Sequence, residues 1–155
     1  MKLRIDYLKN HSHLIPEIAK YLYGEWSYMR PEKILWYVED ALRDRMNVKR
    51  LPLALVALLN EQFAGIVSLK IHDLETRKDL SPWLAGLYVK EEYRNQGIGK
   101  KLTEAAVQKA KALHIKKLYL FTPNAARYYE RSGWKAMCSE VYNGSDVAVM
   151  ERDVG

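Results

Sequence analysis

The chain has one cysteine, Cys138, among 155 residues, so it closes no internal disulfide and suits a reducing cytoplasm. Long apolar runs are missing too. The most hydrophobic stretch, residues 51–59, falls far short of the ~20 residues that span a bilayer. The opening Met-Lys-Leu-Arg-Ile-Asp is charged and passes directly into alternating residues, which does not read as a signal peptide. No metal-ligand spacing is present. His11 and His13 stand far in sequence from His72 and His114, and no Cys or Asp cluster joins them, so no metal is expected. Repeats and low-complexity segments are also lacking. Basic residues exceed acidic ones, for a net charge of +6, but no basic run is longer than pairs such as Lys49-Arg50 and Lys116-Lys117. That argues against nucleic acid as the primary partner; a polyanionic small molecule is an adequate target for so modest an excess.

What is present fits one ordinary globular domain over residues 1–155, large enough to bury a core without staples. Leu3, Ile5 and Tyr7 alternate, which predicts a strand over residues 2–8. Leu14, Ile15, Ile18 and Leu22 share a helical face that should end near Gly24. Pro31 suits a helix start, and Ile34, Leu35, Val38, Ala41 and Leu42 give a second amphipathic helix. Two apolar runs, residues 53–59 and 63–71, flank Asn60-Glu61-Gln62 as a hairpin. Residues 73–81 read as a loop and 83–89 as a strand buried on both faces. Ile98, Leu102, Ala105, Ala106 and Leu113 stripe a long helix over 97–113. A strand at 117–121 follows, then a short helix at 124–131 closed by Gly133. Strands at 134–141 and 147–150 flank the hairpin turn Asn143-Gly144. Cys138 falls in the first of these and is expected to be buried and inert. The order β-α-α-β-β-β-α-β-α-β-β implies an α/β fold, a mixed sheet with helices on both faces.

Between the strand ending at Val89 and the long helix lies Glu91-Glu92-Tyr93-Arg94-Asn95-Gln96-Gly97-Ile98-Gly99-Lys100. A helix start offers backbone N–H groups with no internal partner, and the macrodipole adds positive character. Glycines at 97 and 99 let an anion approach the backbone, while Arg94 and Lys100 supply countercharge. The spacing is not that of a Walker A loop, and the third glycine of a dinucleotide fingerprint is replaced by Leu102. Taken alone, a Gly-x-Gly here is equally what an ordinary helix start shows.

The rest of the chain adds weight. Arg94-x-x-Gly97-x-Gly99 resembles the Q/R-x-x-G-x-G/A acetyl-CoA signature of the GCN5-related N-acetyltransferases, in the strand-to-helix context that signature requires. Downstream, Ala125-x-x-Tyr128-Tyr129-Glu130-Arg131-Ser132-Gly133-Trp134 is similar to that family's A-x-x-[FL]-Y-E-K-x-G-F segment, and the resemblance spans essentially the whole chain. Residues 81–89 look like a bacterial subgroup whose substrates are mostly unassigned. The resemblance implies a mixed, mostly antiparallel sheet of six to seven strands whose two central parallel strands, 83–89 and 117–121, splay apart around the pantetheine arm of acetyl-CoA. It implies backbone contacts from Leu87, Tyr88 and Val89, and a pyrophosphate cradle of Arg94, Asn95, Gln96, Gly97, Ile98, Gly99 and Lys100. It also implies transfer of acetyl to an amine acceptor, either a small molecule or a peptide. Members are often homodimers, and a membrane partner is not implied.

By the same resemblance Tyr129 is the proton donor to the leaving thiolate, and Tyr128 the better candidate for core packing. Ordinary values of about 10 for a phenol and 8.5 for a thiol make full transfer uphill by roughly 2 kcal/mol, so hydrogen bonding to the developing sulfur charge should dominate. An acceptor ammonium must lose a proton, but the strand at 83–89 carries no acid where many members have one; Glu25, Asp73 and Glu75 are the candidate bases. Thr122 stands where the family often has Asn, with Asn124 close by either to substitute or to cap the helix. The aromatic group Tyr21, Tyr23, Trp26, Tyr28, Trp36 and Tyr37 is divided between core and acceptor site. Two rival readings are a non-catalytic acyl-CoA sensor and an acetyltransferase for protein N-termini or lysines.

Overall fold

The computed structural model describes residues 2–29 and 34–155. Pro31, the expected start of the second helix, lies outside the described residues. Seven strands form one sheet in the order β1-β2-β3-β4-β5-β7-β6. They are β1 (Leu3–Tyr7), β2 (Leu53–Leu59), β3 (Gln62–Lys70), β4 (Trp83–Val89), β5 (Lys117–Thr122), β6 (Lys135–Tyr142) and β7 (Ser145–Asp153). Every neighbouring pair is antiparallel except β4 and β5, which run parallel. The helices are α1 (Ile15–Trp26), α2 (Leu35–Arg43), α3 (Ile98–Ala112) and α4 (Ala126–Glu130).

Side-chain alternation sorts the sheet into two cores. On β2, Leu53, Leu55, Ala57 and Leu59 face α3 and meet Ile98, Leu102, Ala106 and Ala110. Ala54, Val56 and Leu58 point the other way, against Ile18, Ala19, Leu22 and Leu42 of α1 and α2. Because both faces are covered, β2 is buried throughout and reads as a continuous apolar run. A third cluster of Met29, Leu74, Leu80, Trp83, Tyr142, Val147 and Val149 closes the β5-β7-β6 half.

Several boundaries differ from expectation. Strand β1 stops at Tyr7, and Leu8–Leu14 is a 3-10 segment broken at His11, whose Nε2 lies 2.9 Å from Asp6 Oδ2. Helix α1 continues through Gly24 to Trp26, because the glycine retains helical backbone and Trp26 still packs against the α1 core. On α3 the buried stripe also takes in Thr103, Val107 and Ala110. Both hairpin turns are two residues long with positive φ throughout, Asn60-Glu61 (50° and 67°) and Asn143-Gly144 (48° and 79°), matching the twist of the flanking strands. Gln62 therefore belongs to β3, and β7 extends well beyond residues 147–150. Cys138 packs against the third cluster but is half-buried, with its sulfur accepting a hydrogen bond from Arg77 Nη1 at 3.3 Å, so the expected full burial is corrected.

Gly65 marks a tight passage. A Cβ there would sit 2.8 Å from the Tyr88 carbonyl oxygen and 3.0 Å from Leu102 Cδ1. Backbone cannot give way as a flexible side chain can, so Gly65→Ala should lower stability by about 1–3 kcal/mol. Urea unfolding checks this; an unchanged midpoint would contradict the crowding.

Candidate active site

Strands β4 and β5 share one rung of parallel pairing, Trp83 opposite Tyr119, and then part. The Tyr119 N–H donates to the Pro82 carbonyl at 3.1 Å, fixing the closed end of the gap. Each strand keeps its other neighbour: β4 pairs with β3 as far as Val89, and β5 with β7 as far as Thr122. The edges facing the gap thus carry backbone groups without a strand partner. The burial of β4 follows the parting. Trp83, Leu84 and Ala85 are buried, whereas residues 86–89 are half-buried, which corrects the expectation of a strand covered on both faces throughout.

A bulge shapes this stretch. Ser68 pairs with Ala85 and Ile66 with Tyr88, so β4 holds one residue more than β3 over the same span. Gly86 takes up the irregularity at φ +63°, a conformation that disfavours any Cβ. A glycine inside a strand pattern was the sequence signal for it.

Through the gap runs a cavity of about 620 Å³. On one side it is lined by Leu87, Leu120, Thr122, Pro123, Asn124, Ala125 and Tyr129. The other side draws on α1, α2 and the segments after them, with Tyr23, Glu25, Trp26, Tyr28, Tyr37, Asp44, Arg45, Lys70 and Asp73. Residues of both parted strands and of α1 and α2 thus line one cavity.

Tyr129 is 8% exposed, with rings at 5.1 Å (Tyr128) and 6.2 Å (Trp134). Tyr128 is 38% exposed and rests over Gly99, where a Cβ would come within 2.9 Å of its hydroxyl. The expectation that Tyr128 packs in the core is corrected: Tyr129 is the buried ring and also lines the cavity, and Tyr128 covers the helix start. Burial pushes the Tyr129 phenol far above its ordinary value, with the Tyr128 charge adding to the rise. It stays a neutral donor at any physiological pH.

The turn before α3 is open to solvent and carries left-handed backbone. Gly97 caps the helix at φ +82°, preceded by Asn95 at φ +65°, and residues 94–97 and Lys100 are exposed. Ile98 is buried beneath, anchoring the turn to the α3 core. Arg94 Nε donates to the Val89 carbonyl at 2.8 Å, and its guanidinium lies 5.4 Å from the Tyr88 ring centre. That carbonyl has a second lone pair, so it can accept from a ligand amide alongside Arg94. Thr122 is buried, and its hydroxyl accepts from the backbone of Ala125 at 3.0 Å and of Asn124 at 3.4 Å. Thr122 thus tightens the turn that leads into α4, whose N-cap is Ala125 with no side-chain cap; Asn124 is exposed beside the cavity.

Of the candidate bases, Glu25 and Asp73 line the cavity, whereas Glu75 sits exposed in a 3-10 turn (Glu75–Arg77) away from it. Asp73 Oδ1 is 3.1 Å from Lys70 Nζ. Arg45, which no sequence pattern singled out, donates from Nη1 to the buried Ser68 hydroxyl at 3.0 Å beside Gly86. Tyr21 stacks on Tyr88 at 5.7 Å and on Phe63 at 5.9 Å, so it belongs to the packing set. No group of His, Cys, Asp and Glu suited to a metal occurs among the described residues. Nor is any described helix long and apolar enough to cross a membrane.

The chain matches the model of the acetyltransferase (GNAT) family over residues 15–134, and it belongs to that family. It is 35% identical over 98 residues to an N-alpha-acetyltransferase 30 of Schizosaccharomyces pombe, across 59% of this chain and 65% of that protein. It is 34% identical over 82 residues to a spermine/spermidine N(1)-acetyltransferase of Bacillus subtilis, across 50% of this chain and 54% of the relative. The matches thus span less than two thirds of either relative's length. A solved aminoglycoside 6'-N-acetyltransferase complexed with coenzyme A superposes with a TM-score of 0.79 at 16% identity, covering 100% of this chain and 98% of that one. At that identity the likeness establishes the fold.

The raised Tyr129 phenol has a consequence for stability. Unfolded, a tyrosine ionises near pH 10; folded, Tyr129 holds its proton well above that. From pH 10 upward the unfolded state binds fewer protons than the folded one, so this group's share of stability is lost at up to ~1.4 kcal/mol per pH unit. Urea titrations at pH 9 and 11 should show Tyr129→Phe losing about 1 kcal/mol less than wild type across that interval. Parallel losses would refute the assignment.

Proposed function

We propose that the protein transfers the acetyl group of acetyl-CoA to an amine, with the two reactants entering the β4–β5 gap from opposite faces. The observation that carries this is the parting of β4 and β5 after a single rung, which opens between them a cavity bordered by aromatic and charged side chains. Three features of this chain suit the donor. Residues 94–100 form an exposed helix start with left-handed backbone at Asn95 and Gly97. Gly99 admits no side chain without displacing Tyr128. The gap-facing edge of β4 past Trp83 is free of β5, so Leu87 and Val89 can pair with the amides of a pantetheine arm as a missing strand would.

Acetyl-CoA supplies a thioester carbonyl. In the proposed reaction the neutral amine attacks it, and a backbone N–H near Val89 stabilises the charge that grows on oxygen. The proton shed by the acceptor leaves on the side of Glu25 and Asp73. Tyr129 donates a hydrogen bond to the departing sulfur. Its raised affinity for the proton makes outright transfer costlier than the roughly 2 kcal/mol of the unperturbed pair, so charge stabilisation is its main part. The acceptor is a small polyamine-like molecule or a peptide amine, the two classes that the names of the relatives indicate. The single cysteine fits a reducing, cytoplasmic setting.

Acetyl-CoA should raise the melting temperature in proportion to its saturation, and thiol release should depend on added amine. Tyr129→Phe should lower kcat by about 10²-fold, at the low end for general acids, while the dissociation constant of acetyl-CoA stays within about twofold. Cofactor binding without turnover of any amine would leave an acyl-CoA-binding module; no binding at all would overturn the reading.

A further inference from the structure

The acceptor chamber differs in charge from the rest of the chain. Overall the protein is +6. Among the described lining residues of the cavity, however, the carboxylates Glu25, Asp44 and Asp73 outnumber the cations Arg45 and Lys70. Both cations have partners, although a serine hydroxyl leaves the Arg45 charge in place, so the described lining carries one net negative charge. Lys70 pairs with Asp73 at 3.1 Å, with both side chains largely covered, and Arg45 holds the Ser68 hydroxyl at 3.0 Å. That leaves Glu25, near the end of α1, and Asp44, just past α2, as exposed carboxylates on two helices that pack against each other.

Aromatic faces border the same opening. Tyr23 (38% exposed), Tyr28 (61%) and Tyr37 (43%) line the chamber, and the Trp36 ring, 63% exposed, meets Tyr37 edge-on at 6.3 Å. Large exposed rings beside carboxylates that pair with no cation among the described residues form a poor seat for an anion and a good one for an ammonium group, which gains from the ring quadrupole and from the carboxylate together. The ammonium that reacts cannot be the occupant, because it must lose its proton and enter the gap before it attacks.

Resting on the acetyl-transfer reading above, we infer that the acceptor is a di- or polycation: one nitrogen reaches the thioester, while a second ammonium is held outside it by Glu25 and Asp44 against the rings of Tyr23, Tyr28 and Tyr37. A monoamine fills only the reactive position. An ω-amino acid of the same length places a carboxylate against Glu25 and Asp44 and is repelled.

Thiol release is measured for an α,ω-diaminoalkane, an alkylamine and an ω-amino acid of matched length, together with a peptide whose only cation is its N-terminus. The diamine should lead the alkylamine by at least about tenfold in kcat/KM, with the amino acid slowest. The double variant Glu25→Gln/Asp44→Asn should shrink the diamine-to-alkylamine ratio to within about twofold. Ratios cancel any common loss of rate. Binding is followed separately by calorimetry on CoA-saturated protein, with a bis-quaternary and a mono-quaternary ammonium that cannot be acetylated; the bis-cation should bind about tenfold more tightly. Equal turnover of alkylamine and diamine, equal affinity of the two quaternary ions, or preference for the peptide or amino acid would overturn the inference. Tight bis-cation binding without turnover of any amine would uphold the second subsite and sink the acetyl-transfer reading. Brisk turnover without cation preference would do the reverse.

Discussion

The rest of the structure depends on one broken ladder. Parallel strands normally pair along their length because each unpaired, buried backbone group costs about 1–3 kcal/mol. Here β4 and β5 make a single rung and separate. The separation is tolerable because it coincides with a change in burial: β4 is fully covered where it pairs and half-buried once it leaves. Water or a ligand can then satisfy the groups that β5 does not. An edge opened inside a sheet is also a template for any extended chain bearing amides, and that property is what a pantetheine arm would use.

The break is held open from both sides. Trp83 is fully buried, and its indole N–H donates to the Leu80 carbonyl at 2.8 Å, while its ring contacts Tyr119 and Phe121 of β5. That cluster pins the closed end. Farther along, β5 stays in an uninterrupted ladder with β7, and β4 is turned by the extra residue that Gly86 accommodates. A bulge raises local twist, so the two strands diverge more with each residue. The β4–β5 gap is therefore a consequence of where the pairing partners are strong, and no large loop is needed to make it.

How much of this was legible in the sequence varies with the physics of each part. The long helix α3 was plain, since fifteen residues give four turns over which an apolar stripe repeats. The Asn143-Gly144 turn was equally direct, because few residue pairs accept positive φ twice. Helix α4 has five residues, too few for any periodicity, and the two adjacent tyrosines gave no basis for deciding which one faces inward. Their packing resolves it through Trp134, a residue that follows the helix. The splay itself came from family resemblance rather than from composition; only Gly86 within the strand hinted at irregularity. Arg45 and Lys70 were invisible as site residues because Arg45 lies in an ordinary charged stretch and Lys70 closes an apolar strand, and only the sheet order carries them to one chamber.

This division has a physical root. The proposed donor side is largely backbone: a helix start, an open strand edge and glycines that leave room. Backbone geometry needs particular residues at particular spacings, so it leaves a motif. The acceptor side is built from side chains that reach in from α1, the end of α2 and the end of β3, separated by up to fifty residues of sequence and held together only by packing. Such a site can change its charge without disturbing the sheet, since Glu25 and Asp44 are exposed and support no core contact. A fold organised this way can hold its donor chemistry constant while the choice of amine is rewritten at a few positions on two helices, which is why the motif that identifies the family is silent about the acceptor.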